Sequence, residues 1–325
     1  MKSELKDISK YVERELDEFK IEFRNAIRSK VALVDLISKY IFRQKGKKIR
    51  PILVLLSAKL CGEVNRRTYV GATLVEMLHT ATLIHDDVVD DAQTRRGFAS
   101  INAVWKNKIA VLMGDYMLSR GLLHALENDE CEFLKITSRA VKRMSEGELL
   151  QIQKNRKFDV DEKTYFRIIS DKTGSLITAC CELGALSATN DREKVKSMSD
   201  FGENLGIAFQ LRDDVLDYIG EKKIMGKSSG TDLKEKKFTL PLIHSLSNSS
   251  KKDSKEIMGL MKDGFDSKKR KYIIDFINGH GGIEYTIGKT KEYCSQAKSD
   301  ISGFSSSPSK ETVLSFVDFI SDRIN

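Results

Sequence analysis

Apolar residues recur along this chain every three or four positions, the period that places them on one face of an α-helix. The opening stretch, 5–43, shows it at Leu5, Ile8, Val12, Leu16, Phe19 and Phe23. Further helical patterns cover 50–61, 66–90, 101–127, 131–153, 161–187, 193–219 and 239–248, and one runs from 255 to the end of the sequence. Nowhere do apolar and polar residues alternate in the manner of a half-buried strand. Polar or glycine-bearing breaks fall at 91–99, 154–160, 188–192 and 220–237, with Ser/Lys-rich stretches at 245–255 and 302–310. None resembles a linker, so residues 1–325 read as a single all-helical domain of roughly ten or more helices around a central cavity. The scarcity of proline (only Pro51, Pro241 and Pro308) suits this, because proline breaks a helix interior.

Two acidic clusters interrupt the apolar pattern. Asp86-Asp87-Val88-Val89-Asp90 and Asp213-Asp214-Val215-Leu216-Asp217 share the spacing Asp-Asp-x-x-Asp, and each follows an apolar helical run. On a helix, positions i and i+4 stand one turn apart on the same face, so Asp86 stacks with Asp90 and Asp213 with Asp217. Stacked carboxylates repel unless a cation holds them. Facing each other, the six would offer the hard oxygen ligands that Mg²⁺ prefers. Mg²⁺ takes only one or two protein carboxylates and completes its shell with water and phosphate oxygens, so the reading is a diphosphate bound through magnesium. One such cluster reads as readily as a solvated acidic turn; two in matching surroundings do not.

Basic residues flank these clusters. Lys47 and Arg50 lie one turn apart behind Gly46, where Arg offers a bidentate fork and Lys a point charge to a diphosphate. Arg95-Arg96-Gly97 follows the first cluster by five residues, Lys172-Thr173 sits beside Gly174, and Gln210 precedes the second cluster by three. Lys227 and Lys237 bracket the loop after it. His79, two turns before Asp86, shares its face and lines the cavity. His85 has no partner histidine at ligand spacing and reads as a local structural residue. The segment Gly220 to Ser228 imitates a phosphate-binding loop, but five residues separate its glycines where the motif needs four, and it follows a helix rather than a strand.

Composition narrows the class. Of 325 residues, 40% are apolar and 31% charged, a balance that allows a sizeable core. No apolar run approaches the ~18–20 residues that span a bilayer, and the N-terminus lacks a signal-peptide core. Five cysteines (Cys61, Cys131, Cys180, Cys181, Cys294) form no C-x-x-C pair and leave an odd count, which favours reduced thiols and a cytoplasmic location. The net charge of +8 is spread along the chain without a zinc finger, RNA-binding motif or basic arm. Nucleic acid is therefore not an expected partner, and part of the surplus reads as phosphate ligands.

With these residues in this order, the chain resembles the trans-type isoprenyl diphosphate synthases, or polyprenyl synthetases. The resemblance runs from Gly46-Lys47-Lys48-Ile49-Arg50-Pro51 through both aspartate clusters, Arg95-Arg96-Gly97, Asp171-Lys172-Thr173-Gly174 and Gln210. It reaches the C-terminal Gly281-Gly282-Ile283-Glu284-Tyr285 and Val317-Asp318-Phe319-Ile320 segments. It implies an all-α isoprenoid-synthase-type bundle around a deep central cavity, a homodimer, and three Mg²⁺ ions with substrate bound. Asp86, Asp87, Asp90, Asp213, Asp214 and Asp217 correspond to the metal carriers. Lys47, Arg50, His79 and Arg96 correspond to the isopentenyl diphosphate site, and Arg95, Lys172, Lys227 and Lys237 to the allylic diphosphate site. Lys172, Thr173 and Gln210 correspond to catalytic residues, the oxygens of the last two facing an allylic cation. The implied reaction is head-to-tail 1′-4 prenyl transfer, with the departing diphosphate as base.

Product length is implied by the helix carrying the first cluster. Ala81 and Thr82, five and four residues before Asp86, are small, whereas synthases of short products resemble one another in carrying a bulky aromatic floor there. The resemblance favours a long product, octaprenyl or similar, for quinone side chains. Leu78 and Met77, or Leu74 and Met113, could form a deeper floor. A transient membrane-surface contact would suit release of so apolar a product. Three alternatives stay open: a farnesyl or geranylgeranyl synthase, a terpene cyclase (which would not need Lys47, Arg50, His79 and Arg96), and an inert subunit (which would lose its aspartates).

Overall fold

The helical period is realised almost throughout. The computed structural model describes residues 2–44, 46–219, 231–262 and 266–321. The pattern read as one helix over 5–43 is three: α1 (Lys2–Tyr11), α2 (Glu13–Ala26) and α3 (Ala32–Arg43). The chain turns at Val12 and again over 27–31, where the Ser29 hydroxyl accepts the Val31 N–H in place of a helical carbonyl. Folding back lets Leu16, Phe19, Phe23 and Ile37 share one core.

Next come α4 (Ile49–Cys61), α5 (Arg66–Val89), α6 (Ile101–Glu127, kinked at Lys106) and α7 (Cys131–Lys157). A capping box between Asn65 and Thr68 starts α5. Helix α8 (Glu162–Ile169) passes through one wider π turn, Ser170–Gly174, into α9 (Ser175–Ala188), and α10 (Arg192–Ile219) follows. Short α11 (Thr231–Lys234) and α12 (Leu240–Ser247) precede α13 (Lys251–Lys262), α14 (Ser267–Gly279), α15 (Gly282–Asp300) and α16 (Pro308–Ser321). The pattern from 255 onward is thus four helices.

Helix α9 is the axis of the fold. Twelve of its fourteen residues are buried, and a helix apolar on all sides belongs inside a bundle. It packs against α4, α5, α7 and α10. The helices carrying the two acidic clusters, α5 and α10, are both held against it. A second apolar cluster wraps the far end of α10, where Leu211, Val215 and Tyr218 meet Leu240, Ile243, Ile273 and Ile283.

One short feature is not helical. After α5, Thr94–Arg95 (β1) and Phe98–Ala99 (β2) pair antiparallel, Thr94 opposite Ala99 and Arg95 opposite Phe98. Arg96 and Gly97 connect them with φ of +53° and +80°, the double positive φ of a type I′ hairpin. Two-residue strands are too short to leave an alternating pattern. The hairpin matters because it aims two arginines.

Candidate active site

The first cluster ends α5. Asp86 and Asp90 are exposed one turn apart, while Asp87, rotated about 100° along the helix, is buried. The hairpin delivers Arg95 to Asp87, with Nε and Nη2 donating to Oδ1 at 2.8 and 2.5 Å. Asn102 on α6 donates to the Asp87 carbonyl at 3.1 Å. Asp87 is therefore satisfied by protein. Asp86 faces the cleft, whose walls still remove much of its water. That burial, with the Glu148 and Asp90 carboxylates nearby, pushes its carboxyl above the usual range, while Lys172 and Arg95 oppose the shift.

A cationic group lies behind this cluster. Arg50 of α4 donates from Nη1 to His79 Nε2 at 2.9 Å. Arginine cannot accept a hydrogen bond, so the imidazole is neutral with its proton on Nδ1. Burial first, then Arg50, Arg96, Lys48 and Arg95, holds His79 well below its ordinary pKa. Arg50 Nε is buried without a hydrogen-bond partner. Lys48 is paired to the buried Glu76 at 3.1 Å. The Arg96 guanidinium lies over Gly46, where an added methyl would fall 2.5 Å from Nη1; glycine is what lets the arginine approach. Lys47 is exposed on the loop entering α4.

The second cluster, on α10, is partnered differently at each position. Asp213 is held by Arg212, through Nε at 3.1 Å and Nη2 at 2.5 Å. Arg212 is 2% exposed and stacks over the Phe209 ring at 4.2 Å. Asp214 is buried, accepting from the Tyr165 hydroxyl at 2.6 Å and from Gln210 Nε2 at 2.7 Å. Burial, with Asp232 nearby, pushes it up to about 8. Asp217 accepts the Asp232 N–H at 3.0 Å.

The π turn brings Lys172 and Thr173 to the same cleft. The Thr173 hydroxyl donates to Gln210 Oε1 at 2.7 Å, extending a chain from Thr173 through Gln210 to Asp214. Lys172 pairs with Glu148 and donates to Gln151 Oε1 at 2.8 Å. Lys237 pairs with Glu235 and stands 3.6 Å from Asp232. The cleft, about 230 Å³, is lined by Gln151, Tyr165, Lys172, Thr173, Gln210, Asp214, Asp232 and Lys237 among others. Glu148 links the clusters electrostatically, since both Asp86 and Lys237 sense it.

Most of the residues singled out in the sequence thus converge. Lys227 lies outside the described residues, as does the loop imitating a phosphate-binding motif. His85 packs on Gly114 of α6, with Nε2 3.2 Å from the Val111 carbonyl and 3.4 Å from Asp115. Of the length-determining candidates, Met77, Leu78 and Ala81 are at most 2% exposed and Thr82 is half-buried. Met77 abuts Gly121 of α6, which places Ala81, midway to His85, on the same α5–α6 seam. Sequence reasoning missed Glu148, Gln151, Tyr165 and Asp232; the only available signal was a polar i, i+3 pair, Glu148 and Gln151, on one face of α7.

Among the described residues, no three His, Cys, Asp or Glu side chains converge closely enough to cage an ion. Exposed carboxylates one turn apart, and a buried arginine nitrogen that lacks a protein acceptor, define a class: helical enzymes that act on diphosphate esters. The polyprenyl synthetase family model matches residues 31–277. Octaprenyl diphosphate synthase of Escherichia coli is 33% identical over 288 residues, 89% of either chain. The all-trans-nonaprenyl-diphosphate synthase (geranyl-diphosphate specific) of Rhodobacter capsulatus is 35% identical over 310 residues, 95% of this chain and 94% of that one. The crystal structure of a polyprenyl synthase from Caulobacter crescentus, complexed with calcium and isoprenyl diphosphate, is similar with a TM-score of 0.89. It is 30% identical and covers 99% of this chain and 98% of that one. The chain belongs to the polyprenyl synthetase family, and it is a prenyltransferase that makes trans-polyprenyl diphosphates. No helix among the described residues is long and apolar enough to cross a membrane.

Proposed function

We propose that this prenyltransferase is a Mg²⁺-dependent long-chain synthase. It elongates an allylic diphosphate by successive condensations with isopentenyl diphosphate to octaprenyl or similar length, for quinone side chains. The observation that carries the long-chain reading is the α5–α6 seam. At Ala81, where a bulky floor would stop the tail, the wall is a methyl group opposite a helix bearing Gly114 and Gly121. Beside it lies Met117 and beyond it Met77, whose flexible thioethers can rotate aside for an apolar chain.

The residues divide the work. Arg50, His79, Arg96 and Lys47 hold isopentenyl diphosphate; the unpartnered Arg50 Nε and the neutral His79 beneath it fit an anion that supplies acceptors. Lys172, Lys237 and Arg95 hold the allylic diphosphate, with Lys227 assigned there by the resemblance alone. Asp86 and Asp90 would hold Mg²⁺ from one side of the cleft, and Asp213, Asp214 and Asp217 from the other, with Asp87 acting through Arg95. Bound Mg²⁺ would offset negative charge on the diphosphate as it departs; the calcium complex of the Caulobacter crescentus relative supports a divalent ion. Thr173 and Gln210 turn oxygen atoms toward the allylic carbon and stabilise positive charge there. The apolar walls exclude water that would trap the cation, and the fixed sites align the two substrates.

Exposed apolar side chains along α6 (Val104, Val111, Leu112, Leu123, Leu126) supply the face a second copy would cover in a homodimer. Arg24, Arg28, Lys39 and Arg43 line one groove near exposed Val31, Leu33 and Leu36. That mixture supports transient contact with an anionic membrane surface during product release.

The test is product length. Purified protein is given Mg²⁺, radiolabelled isopentenyl diphosphate and either geranyl or farnesyl diphosphate, and the dephosphorylated products are resolved by reverse-phase chromatography. Heptaprenyl to decaprenyl products support the proposal. Farnesyl or geranylgeranyl products would keep the enzyme class and overturn the long-chain reading.

A further inference from the structure

Lys172 and Thr173 reach the cleft from a single π turn. A turn of this kind holds one residue more than the α-helix on either side, and such turns favour functional positions. If the extra residue migrates or is absorbed, neighbouring side chains rotate by about 100°. Something must therefore fix its register.

The back of the turn shows what does. Arg143 of α7 donates from Nε to Asp171 Oδ1 at 2.8 Å and from Nη2 to the Ser170 hydroxyl at 2.7 Å. The same guanidinium forks onto Glu203 of α10, Nη2 to Oε1 at 2.8 Å and Nη1 to Oε2 at 3.0 Å. Glu203 also accepts the hydroxyl protons of Ser170 and of Thr178, the latter at 2.9 Å. Burial pushes the Glu203 carboxyl up, but its bonds from Arg143, Ser170 and Thr178 outweigh that and hold it below the ordinary range. It stays ionised, as the fork requires.

Arg143 and Glu203 do not line the substrate cleft. They border a separate surface groove with Arg139, Glu182 and Lys196. Close packing already clamps the turn from both sides: a methyl at Gly147 would fall 2.9 Å from Asp171 Cβ, and one at Gly206 would fall 2.6 Å from the Gly174 Cα. Packing sets how near the turn lies to α7 and α10. The ion pair grips Ser170 and Asp171, the first two residues of the turn, and so sets where the extra residue sits.

We propose that the Arg143–Glu203 pair is a positioning device for prenyl transfer, locking the register of the π turn so that Lys172 and Thr173 face the allylic substrate. The inference rests on reading Lys172 and Thr173 as site residues. Neither Arg143 nor Glu203 touches substrate; both act through the turn.

The test measures kcat and KM separately for farnesyl diphosphate and isopentenyl diphosphate, alongside thermal melting, in Arg143→Met, Glu203→Gln, the double variant and Arg143→Lys. A misplacement of about 1 Å costs on the order of 100-fold in rate. Each single variant should therefore lose about 10- to 100-fold in kcat and raise KM for farnesyl diphosphate, with KM for isopentenyl diphosphate unchanged. The double variant should be no worse than the poorer single, because both remove one device. Arg143→Lys keeps charge without the fork and should fall between. If a single variant does not fold, Thr178→Val removes one hydrogen bond to Glu203 and one to the Gly174 carbonyl that ends the turn, and should shift kcat in the same direction. Folded variants with both KM values and kcat within twofold of wild type, whatever their melting temperature, would overturn the proposal. Lys172→Met is the control. If it too is unimpaired, the site reading fails; if it is impaired while the Arg143 and Glu203 variants are normal, only the positioning role fails.

Discussion

Replacing Ala81 with Phe tests where the growing tail goes. Ala81 is 2% exposed on the α5–α6 seam, between Met77 against Gly121 and His85 against Gly114. It lies five residues before Asp86, about 7.5 Å along the helix at 1.5 Å per residue. A ring there leaves the reacting carbons untouched and meets only a lengthened tail. Forcing extra atoms into a packed seam costs about 1–3 kcal/mol. At a tenfold change per 1.36 kcal/mol, every condensation past the ring slows by about 5- to 150-fold. Starting from geranyl diphosphate, products should pile up at farnesyl or geranylgeranyl length, while incorporation of the first isopentenyl unit stays close to wild type. Radiolabelled products resolved by chain length read the shift directly. An unchanged length distribution, from a protein whose melting temperature falls as overpacking requires, would refute the seam as the tail's path.

Asp86→Ala should abolish turnover and leave melting unchanged, because that carboxylate is exposed; a chelator should likewise stop the native enzyme and added Mg²⁺ restore it. Arg95→Gln should lower stability by up to about 3–5 kcal/mol, the cost of stranding a buried carboxylate, as read by denaturant melts. Adding Asp87→Asn should recover part of that loss. His79 is neutral in the folded protein but titrates near pH 6.5 when unfolded, so the unfolded chain binds more protons below that pH. Its contribution is complete above about pH 6.5 and is lost as pH falls further, by up to ~1.4 kcal/mol per pH unit; His79→Gln should flatten that part of the stability profile.

What the sequence made legible was local. The helical period and the i, i+4 stacking of Asp86 on Asp90 need only a few neighbouring residues, and both are present. The matching spelling of the second cluster did not predict a matching environment. Asp86 and Asp90 are exposed, whereas Asp214 is buried between Tyr165 and Gln210 and Asp213 is held by a buried arginine. Gln210 and Arg212 adjoin the cluster on α10, but Tyr165 is brought in by α8 and the burial by packing around α10, which no local pattern records. The π turn was equally hidden: Asp171-Lys172-Thr173-Gly174 looks like ordinary helix until Arg143 and Glu203 arrive from positions 27 and 33 residues away from Ser170, where the turn begins. The Arg95–Arg96 hairpin was missed because two-residue strands carry no period.

The wholly buried α9 has a consequence for how this protein is made. It begins 86 residues after α5 ends, yet it is the surface on which α4 and α5 finish packing. At a synthesis rate of about 5–20 residues per second, the apolar flanks of α4 and α5 wait on the order of ten seconds for their partner. Either acidic cluster, made alone, belongs to an unfinished bundle. Slowing the ribosome between α5 and α9 should therefore lower the soluble yield, whereas a pause after α10, when the central helix has its neighbours, should cost little.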